Sequence, residues 1–327
     1  MTVRHRDVEV NGVRLHIAEQ GEGPLVLLLH GFPESWYSWR HQFAPLAGAG
    51  YRVVAPDQRG YARSDRPEPV DAYTLLHLVG DVTALIGALG ESSAVLVGHD
   101  WGAPVAWATA LLRPDLVRGV AGLSVPPAPP AMLPPLSLAR DRYGEGFYQI
   151  GFQEPGVADA EFARDPASTL RRILFNASGD NPRVEEPRPW VVPEGMTLLD
   201  GMPEPDALPG WLTEEDVAAF AEDYRGSDAF TGPLNWYRNI DRNNELLTAF
   251  QGRVVEVPAL YVVGDRDMVV SLKGVDFLRA NLHLVAPRVH ANVTLAGCGH
   301  WTQQERPEEV NAALLDFLAH VEEVVPA

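Results

Sequence analysis

The chain of 327 residues has one cysteine, Cys298, so it forms no disulfide within itself. A reducing compartment is thereby allowed. It has one lysine, Lys273, and arginine carries nearly all of its positive charge. Positive charge is itself scarce. The 26 Lys and Arg stand against 44 Asp and Glu, a formal net charge of −18. That balance argues against nucleic acid or an anionic membrane as the main partner. Long hydrophobic runs are missing as well. The longest, Leu25 to Leu29, is far too short to span a bilayer. The first residues, Met1 to Asp7, contain no apolar signal core. No internal repeat and no low-complexity tail is present. These absences point to a soluble cytoplasmic protein. Its 46% hydrophobic content is ample for a large core.

What is there reads as strands alternating with helices. Val8 to Val10 and Leu15 to Ala18 are expected strands, joined by the hairpin pair Asn11-Gly12. Further strands read at Leu25 to Leu29, Arg52 to Ala55, Ala94 to Val97 and Val117 to Leu123. Leu75, Leu78, Val82, Leu85, Ile86 and Leu89 recur at helical spacing. Near-continuous apolar strands between helices indicate a parallel sheet covered on both faces. From Pro126 the pattern changes. Pro126-Pro-Ala-Pro-Pro130 and Pro134-Pro135 cannot continue a strand or a helix. Residues 126–252 then read as helices and long turns, with Thr213-Glu-Glu-Asp216 as a capped helix start. Alternation resumes with a strand at Ala259 to Val263, a segment Gly274 to Leu282, a strand at His290 to Leu295, and a helix from Pro307 to Val324. The expected organisation is an α/β core formed by 1–125 and 253–327, interrupted by a helical insertion at 126–252.

The strand at Ala94 leads into Gly98-His-Asp100-Trp-Gly102, and Ala103 to Leu112 follows as a helix. Small residues two positions to either side of Asp100 allow the sharp strand-to-helix turn that exposes a nucleophile. An Asp at that place can also simply cap the helix. Read as a nucleophile, a carboxylate displaces a leaving group at saturated carbon and leaves an ester on the enzyme. That narrows the chemistry to opening epoxides or removing halide. A serine esterase is disfavoured, because no Ser stands at the turn.

An enzyme ester must be hydrolysed by water, and the water needs a base. His300, in Gly297-Cys-Gly-His-Trp301, lies just past the last strand and titrates in the right range. It needs a carboxylate to hold its tautomer. Asp265 and Asp267 both lie just past the preceding strand. Nucleophile, acid and histidine thus all fall at the carboxyl ends of parallel strands. A lone loop histidine would be unremarkable, but three such residues in this order are not. Cys298 reads as a small buried residue. Water attack puts charge on the ester carbonyl oxygen, which two backbone N–H groups must receive. Trp101 N–H and Phe32 N–H are the candidates. Phe32 belongs to His30-Gly-Phe-Pro33, where Pro33 is expected to follow a cis bond. The helix start after Asp100 favours its ionised form.

His30-Gly-Phe-Pro-Glu-Ser-Trp-Tyr-Ser-Trp-Arg40, Asp57-Gln-Arg-Gly-Tyr61 and the Asp100 turn together resemble the soluble epoxide hydrolases of the α/β-hydrolase fold. So do Tyr148-Gln-Ile-Gly-Phe-Gln-Glu-Pro-Gly156 and Gly232-Pro-Leu-Asn-Trp-Tyr237-Arg-Asn in the insertion. The likeness runs from about residue 8 to about 320. The core motifs are shared with dehalogenases, whereas the two insertion motifs are far more specific.

The resemblance implies a mostly parallel sheet flanked by helices with an inserted helical cap. It implies hydrolysis of an epoxide to a vicinal diol with no metal or organic cofactor. Tyr148 and Tyr237 match the two cap tyrosines that donate to the epoxide oxygen, and a phenol is a usable acid for an alkoxide leaving group. The charge-relay acid matches Asp267 better than Asp265. Asp57 to Gly60 reads as structural. Phe32, Trp36, Trp101, Gln149, Trp236 and Trp301 are the candidate pocket walls. The implied partners are a small, largely apolar epoxide and water, and a homodimer is compatible with the sequence. The rival is a haloalkane or haloacid dehalogenase of the same fold. Haloalkane enzymes usually carry Asn after His-Gly, where this chain has Phe32. Fluoroacetate-type enzymes usually carry Arg after the nucleophile, where it has Trp101. A binding protein without catalysis is a further alternative, but no member of the catalytic set is missing.

Overall fold

The computed structural model describes residues 2–182 and 186–325. Met1, 183–185 and 326–327, which the expected segment boundaries include, lie outside the described residues. The first hairpin pairs β1 (Arg4–Val10) with β2 (Val13–Gln20) in antiparallel register. Asn11 and Gly12 turn it with φ of +46° and +75°, the left-handed pair that favours Asn-Gly. The remaining strands are β3 (Leu25–Leu29), β4 (Arg52–Pro56), β5 (Ala94–His99), β6 (Val117–Leu123), β7 (Ala259–Gly264) and β8 (Val289–Leu295). Together they form one sheet in the order β1-β2-β4-β3-β5-β6-β7-β8, parallel from β4 through β8.

Before β6 the connections carry α1 (Phe43–Gly48), α2 (Leu75–Ala88) and α3 (Gly102–Leu112). Between β6 and β7 come α4 (Pro135–Tyr143), α5 (Tyr148–Gly151), α6 (Val157–Ala163), α7 (Pro166–Asn176), α8 (Glu214–Asp223), α9 (Thr231–Arg238) and α10 (Ile240–Leu247). After β7 come α11 (Val275–Ala280), α12 (Thr302–Glu305) and α13 (Pro307–Val324). Gly274 to Leu282 is not one helix. The α11 helix ends at Ala280, and Leu282 to Leu284 form a separate 3-10 turn.

Alternation along β3 sorts the core into two layers. Leu25, Leu27 and Leu29 face α2 and α3. Val26 and Leu28 face α1 and the stripe Val310, Leu314, Phe317, Val321 of α13. On the first face the core continues without a break into the aromatic residues of the insertion, among them Phe152, Phe162 and Phe230. The Thr213 cap forms as its spacing predicts. Thr213 Oγ1 accepts from Asp216 N–H at 3.1 Å, and Asp216 Oδ2 accepts from Thr213 N–H at 2.8 Å. Asp216 also takes Tyr37 O–H at 3.0 Å and Arg40 Nε at 3.1 Å, which ties α8 to the loop after β3.

The strand order reverses beside β3, with β4 on one side and β5 on the other. That switch opens a crevice at the carboxyl ends of the strands. Among the described residues no helix is long and apolar enough to cross a membrane.

Candidate active site

Asp100 sits in that crevice, between β5 and α3, with φ of +49°. Side chains other than glycine rarely take this conformation, so the turn must be held from outside. Its neighbours explain the glycines. A Cβ on Gly98 would lie 2.1 Å from Gly102 O, and one on Gly102 would lie 1.9 Å from Leu29 O. Gly31 is needed for the same reason, because a Cβ there would strike Asp100 Oδ1 at 2.2 Å. The close approach of these loops lets Phe32 N–H donate to Asp100 Oδ1 at 2.7 Å. The Phe32-Pro33 peptide bond is cis.

His300 Nε2 lies 3.4 Å from Asp100 Oδ2, and its Nδ1 lies 3.0 Å from Asp267 Oδ1. Asp267 is fully buried and also accepts Val269 N–H at 2.9 Å. Asp265 is elsewhere. Its Oδ1 accepts Gly297 N–H at 2.8 Å and orders the loop that leads to His300. Burial acts against a charge on His300. The Asp267 charge and the hydrogen bonds to Asp100 and Asp267 outweigh it, so the His300 pKa lies well above its ordinary value. Burial likewise acts to raise the Asp267 pKa, but the His300 charge, with hydrogen bonds from His300 and Ser124, holds it below the usual carboxylate value.

A cavity of about 380 Å³ opens over Asp100. Trp101, Val269, Leu272 and Ile240 give it apolar walls, and Tyr148, Gln149 and Tyr237 line it from the insertion. Tyr148 begins α5 and Tyr237 lies on α9, with ring centroids 6.1 Å apart. Gln149 Nε2 donates to the Tyr148 hydroxyl oxygen at 3.0 Å. Tyr237 packs edge-on against Trp101 at 5.2 Å and Phe32 at 5.4 Å. Burial, then the Asp100 charge, push both phenols above their ordinary pKa.

Of the six expected pocket residues, Trp101 and Gln149 line this cavity. Phe32 reaches the site through its backbone, while its ring packs beneath Tyr237. Three tryptophans are corrected. Trp36 packs with His5 and Phe43 against the core on the other face of the sheet. Trp236 is fully buried and donates to Arg59 O at 3.0 Å. Trp301 is buried beside His99 and His300 and donates to Leu174 O at 2.8 Å. Trp236 and Trp301 use their rings for packing and their indole N–H for one backbone carbonyl, as buried tryptophans usually do.

Sequence reasoning passed over a buried group below the site. Glu34 Oε2 meets His99 Nδ1 at 2.7 Å, and His99 Nε2 meets the carbonyl oxygen of His300 at 2.7 Å. Glu34 Oε1 accepts from the side chains of Gln303 and Gln304. One carboxylate thus ties together the loops that carry Phe32, Asp100 and His300. Burial acts to raise the Glu34 pKa, but His99 holds it down at about 2. Glu305 plays a similar part for the loop before His300. It accepts N–H bonds from Gly179, Gly299 and Trp301 at 2.9 to 3.1 Å. An acid directly after His-Gly-Phe-Pro and a His directly before Asp100 were the available signals.

The alpha/beta hydrolase fold family matches this chain over residues 24–307. Epoxide hydrolase A of Mycobacterium tuberculosis is 46% identical over 322 residues, 97% of this chain and 98% of that protein. Epoxide hydrolase 1 of Siraitia grosvenorii is 40% identical over 97% of this chain and 98% of its own length. The crystal structure of epoxide hydrolase A from Mycobacterium thermoresistibile superposes with a TM-score of 0.89 at 46% identity. That match covers 97% of this chain and 98% of the other.

Proposed function

The chain belongs to the epoxide hydrolases of the α/β-hydrolase fold, and on that premise we propose that it converts a small, largely apolar epoxide to a vicinal diol through an ester on Asp100. The observation that carries this reading is one carboxylate held by Phe32 N–H and His300, facing a cavity with two phenols on its other side. Residues 126–252 act as the cap in this reading, because they supply both phenols.

In the first step an Asp100 carboxylate oxygen attacks an epoxide carbon and the C–O bond breaks. The oxygen that leaves takes a proton from Tyr148 or Tyr237, which spares the site a free alkoxide. In the second step water attacks the ester carbonyl carbon while His300 Nε2 takes its proton. The oxyanion is received by Phe32 N–H and Trp101 N–H. Collapse releases the diol, whose oxygen takes the proton back from His300. Before the second step His300 reprotonates the phenolate, and at the end the new Asp100 carboxyl passes its proton back to His300. Phenol, imidazolium and carboxylate thus return to their starting forms, and the sum is epoxide plus water giving diol.

The pKa directions support this order of events. The Asp267 charge and then Asp100 hold His300 above its ordinary pKa, and burial and then the Asp100 charge hold the phenols above theirs. Ester formation removes the Asp100 charge. The phenols then become better acids as the alkoxide develops, and His300 becomes free to act as a base. An apolar cavity of this size suits an apolar substrate.

The test is a single turnover in heavy-oxygen water. The label should enter the Asp100 carboxylate, because water attacks the ester carbonyl. Label in the diol alone would mean that water attacks the epoxide directly, and would overturn the reading.

A further inference from the structure

Beyond the expected acid, a second group meets His300 Nδ1. Ser124, the residue just after β6, is fully buried, and its Oγ lies 3.0 Å from that nitrogen. Ser124 has φ of +71°. A non-glycine residue in this region is uncommon, and such strain often marks a functional position. The conformation is pinned at both ends. Ser124 N–H donates to Val262 O at 2.8 Å, and Ser124 O accepts the Tyr261 hydroxyl proton at 2.7 Å. The neighbouring strand β7 therefore holds the hydroxyl against His300.

Hydrogen-bond geometry says what the hydroxyl does there. Nδ1–H faces two acceptors, Asp267 Oδ1 and Ser124 Oγ, each at 3.0 Å. Asp267 Oδ2 is buried with no hydrogen-bond partner among the described residues. A hydroxyl can accept with one lone pair and donate with its own proton. A single Nδ1–H···Oδ1 bond leaves the imidazole free to pivot about that line. A second contact off the line fixes the ring plane, and with it the direction of Nε2.

We propose that Ser124 is a positioning residue for His300, its hydroxyl accepting from Nδ1–H and donating towards Asp267. It keeps Nε2 aimed at the water that hydrolyses the Asp100 ester. This rests on the reading of Asp100 as nucleophile and goes beyond it. Ser124 is not a catalytic residue, since it touches neither substrate nor water. Its loss should therefore spare ester formation and slow ester hydrolysis.

The experiment compares Ser124→Gly and Ser124→Ala, with the two steps resolved by rapid quench and intact-protein mass. Both variants remove the hydroxyl. Gly relieves the left-handed backbone and Ala does not, so their melting temperatures should differ, with Gly the higher. Expected is an equal slowing of ester hydrolysis in both, roughly tenfold or more, with ester formation within about twofold of the parent. The adduct should then build up in steady state. Hydrolysis at the parent rate overturns the proposal. So does a loss shared by both steps, or one that follows the melting temperature, since either marks a merely structural role. An absent ester in the parent protein fails the nucleophile reading. A normal ester in the parent whose turnover ignores Ser124 fails only this inference.

Discussion

Asp100 and the two tyrosines face one cavity but are held there by different physics. Asp100 is fixed by backbone. Its +49° φ, the carbonyls against Gly98 and Gly102, and the bare Cα of Gly31 leave it almost no freedom. Tyr148 and Tyr237 are fixed by packing between separate segments. Their rings rest on each other and on Phe152, which lies 5.5 Å from one and 5.0 Å from the other. Gln153 Nε2 joins the two helices by donating to Gln149 O at 2.8 Å and Tyr237 O at 3.0 Å. The cap meets the core closely at α9, where a Cβ on Gly232 would lie 2.6 Å from Gly60 O. A backbone-built floor should tolerate little change, and a packed roof should lose activity in steps.

The largest effect tests the roof. The Tyr148→Phe, Tyr237→Phe double variant should lose ester formation by about 10⁴-fold, since general acids are typically worth ~10²–10⁴-fold. Each single variant should retain part of it, because the other phenol can still donate. Stopped-flow measurement of ring opening checks this, and a double variant that opens epoxides at the parent rate would break the comparison.

Next in size is His300→Gln on the floor. It should form the ester at a rate near the parent's and hydrolyse it roughly 10²–10⁴-fold more slowly. Intact mass should then report a stable adduct with no free Asp100 at the end of one turnover. Normal hydrolysis would remove His300 from its role.

Gly232→Ala should be milder. It pushes α9 and Tyr237 away from Gly60, and a misplacement of about 1 Å can cost on the order of 10²-fold in rate. Ring opening should slow while hydrolysis of a preformed ester stays near the parent rate. Equal slowing of both steps would mean that floor and roof are not separable.

The smallest effect concerns how the roof is seated. Asp223 ends α8, and its pKa is raised to about 6 by burial and then by the Asp57 charge. Its unfolded value is about 4. Between these values the folded chain binds more protons than the unfolded one, so stability falls as pH rises through that window. Asp223→Asn should therefore melt higher than the parent near pH 8, by roughly 1–3 kcal/mol of stability, and match it near pH 4. Equal melting at both pH values would show that this charge costs nothing.

The tryptophans mark where sequence reading stops. Trp36 follows the loop motif directly, yet its ring lies on the far face of the sheet. Ring type reports a need for burial, not which layer supplies it. Asp265 and Asp267 differ by two positions; the resemblance favoured Asp267, and their contacts separate the partner of Gly297 from the partner of His300.

The sequence by itself determined what local rules encode. Apolar runs set the strands, Asn11-Gly12 set the hairpin, and Thr213-Glu-Glu-Asp216 set a capped helix start. Glycines around Asp100 marked the turn, because a sharp turn excludes side chains at fixed offsets. Tertiary structure alone decided which groups meet. The distance from His300 to Asp267, the Glu34–His99 pair, the seat of Ser124 and the spacing of the two phenols all join residues far apart in the chain. Such contacts depend on how twisted strands and packed rings sum over the whole fold, and no short spacing records that sum.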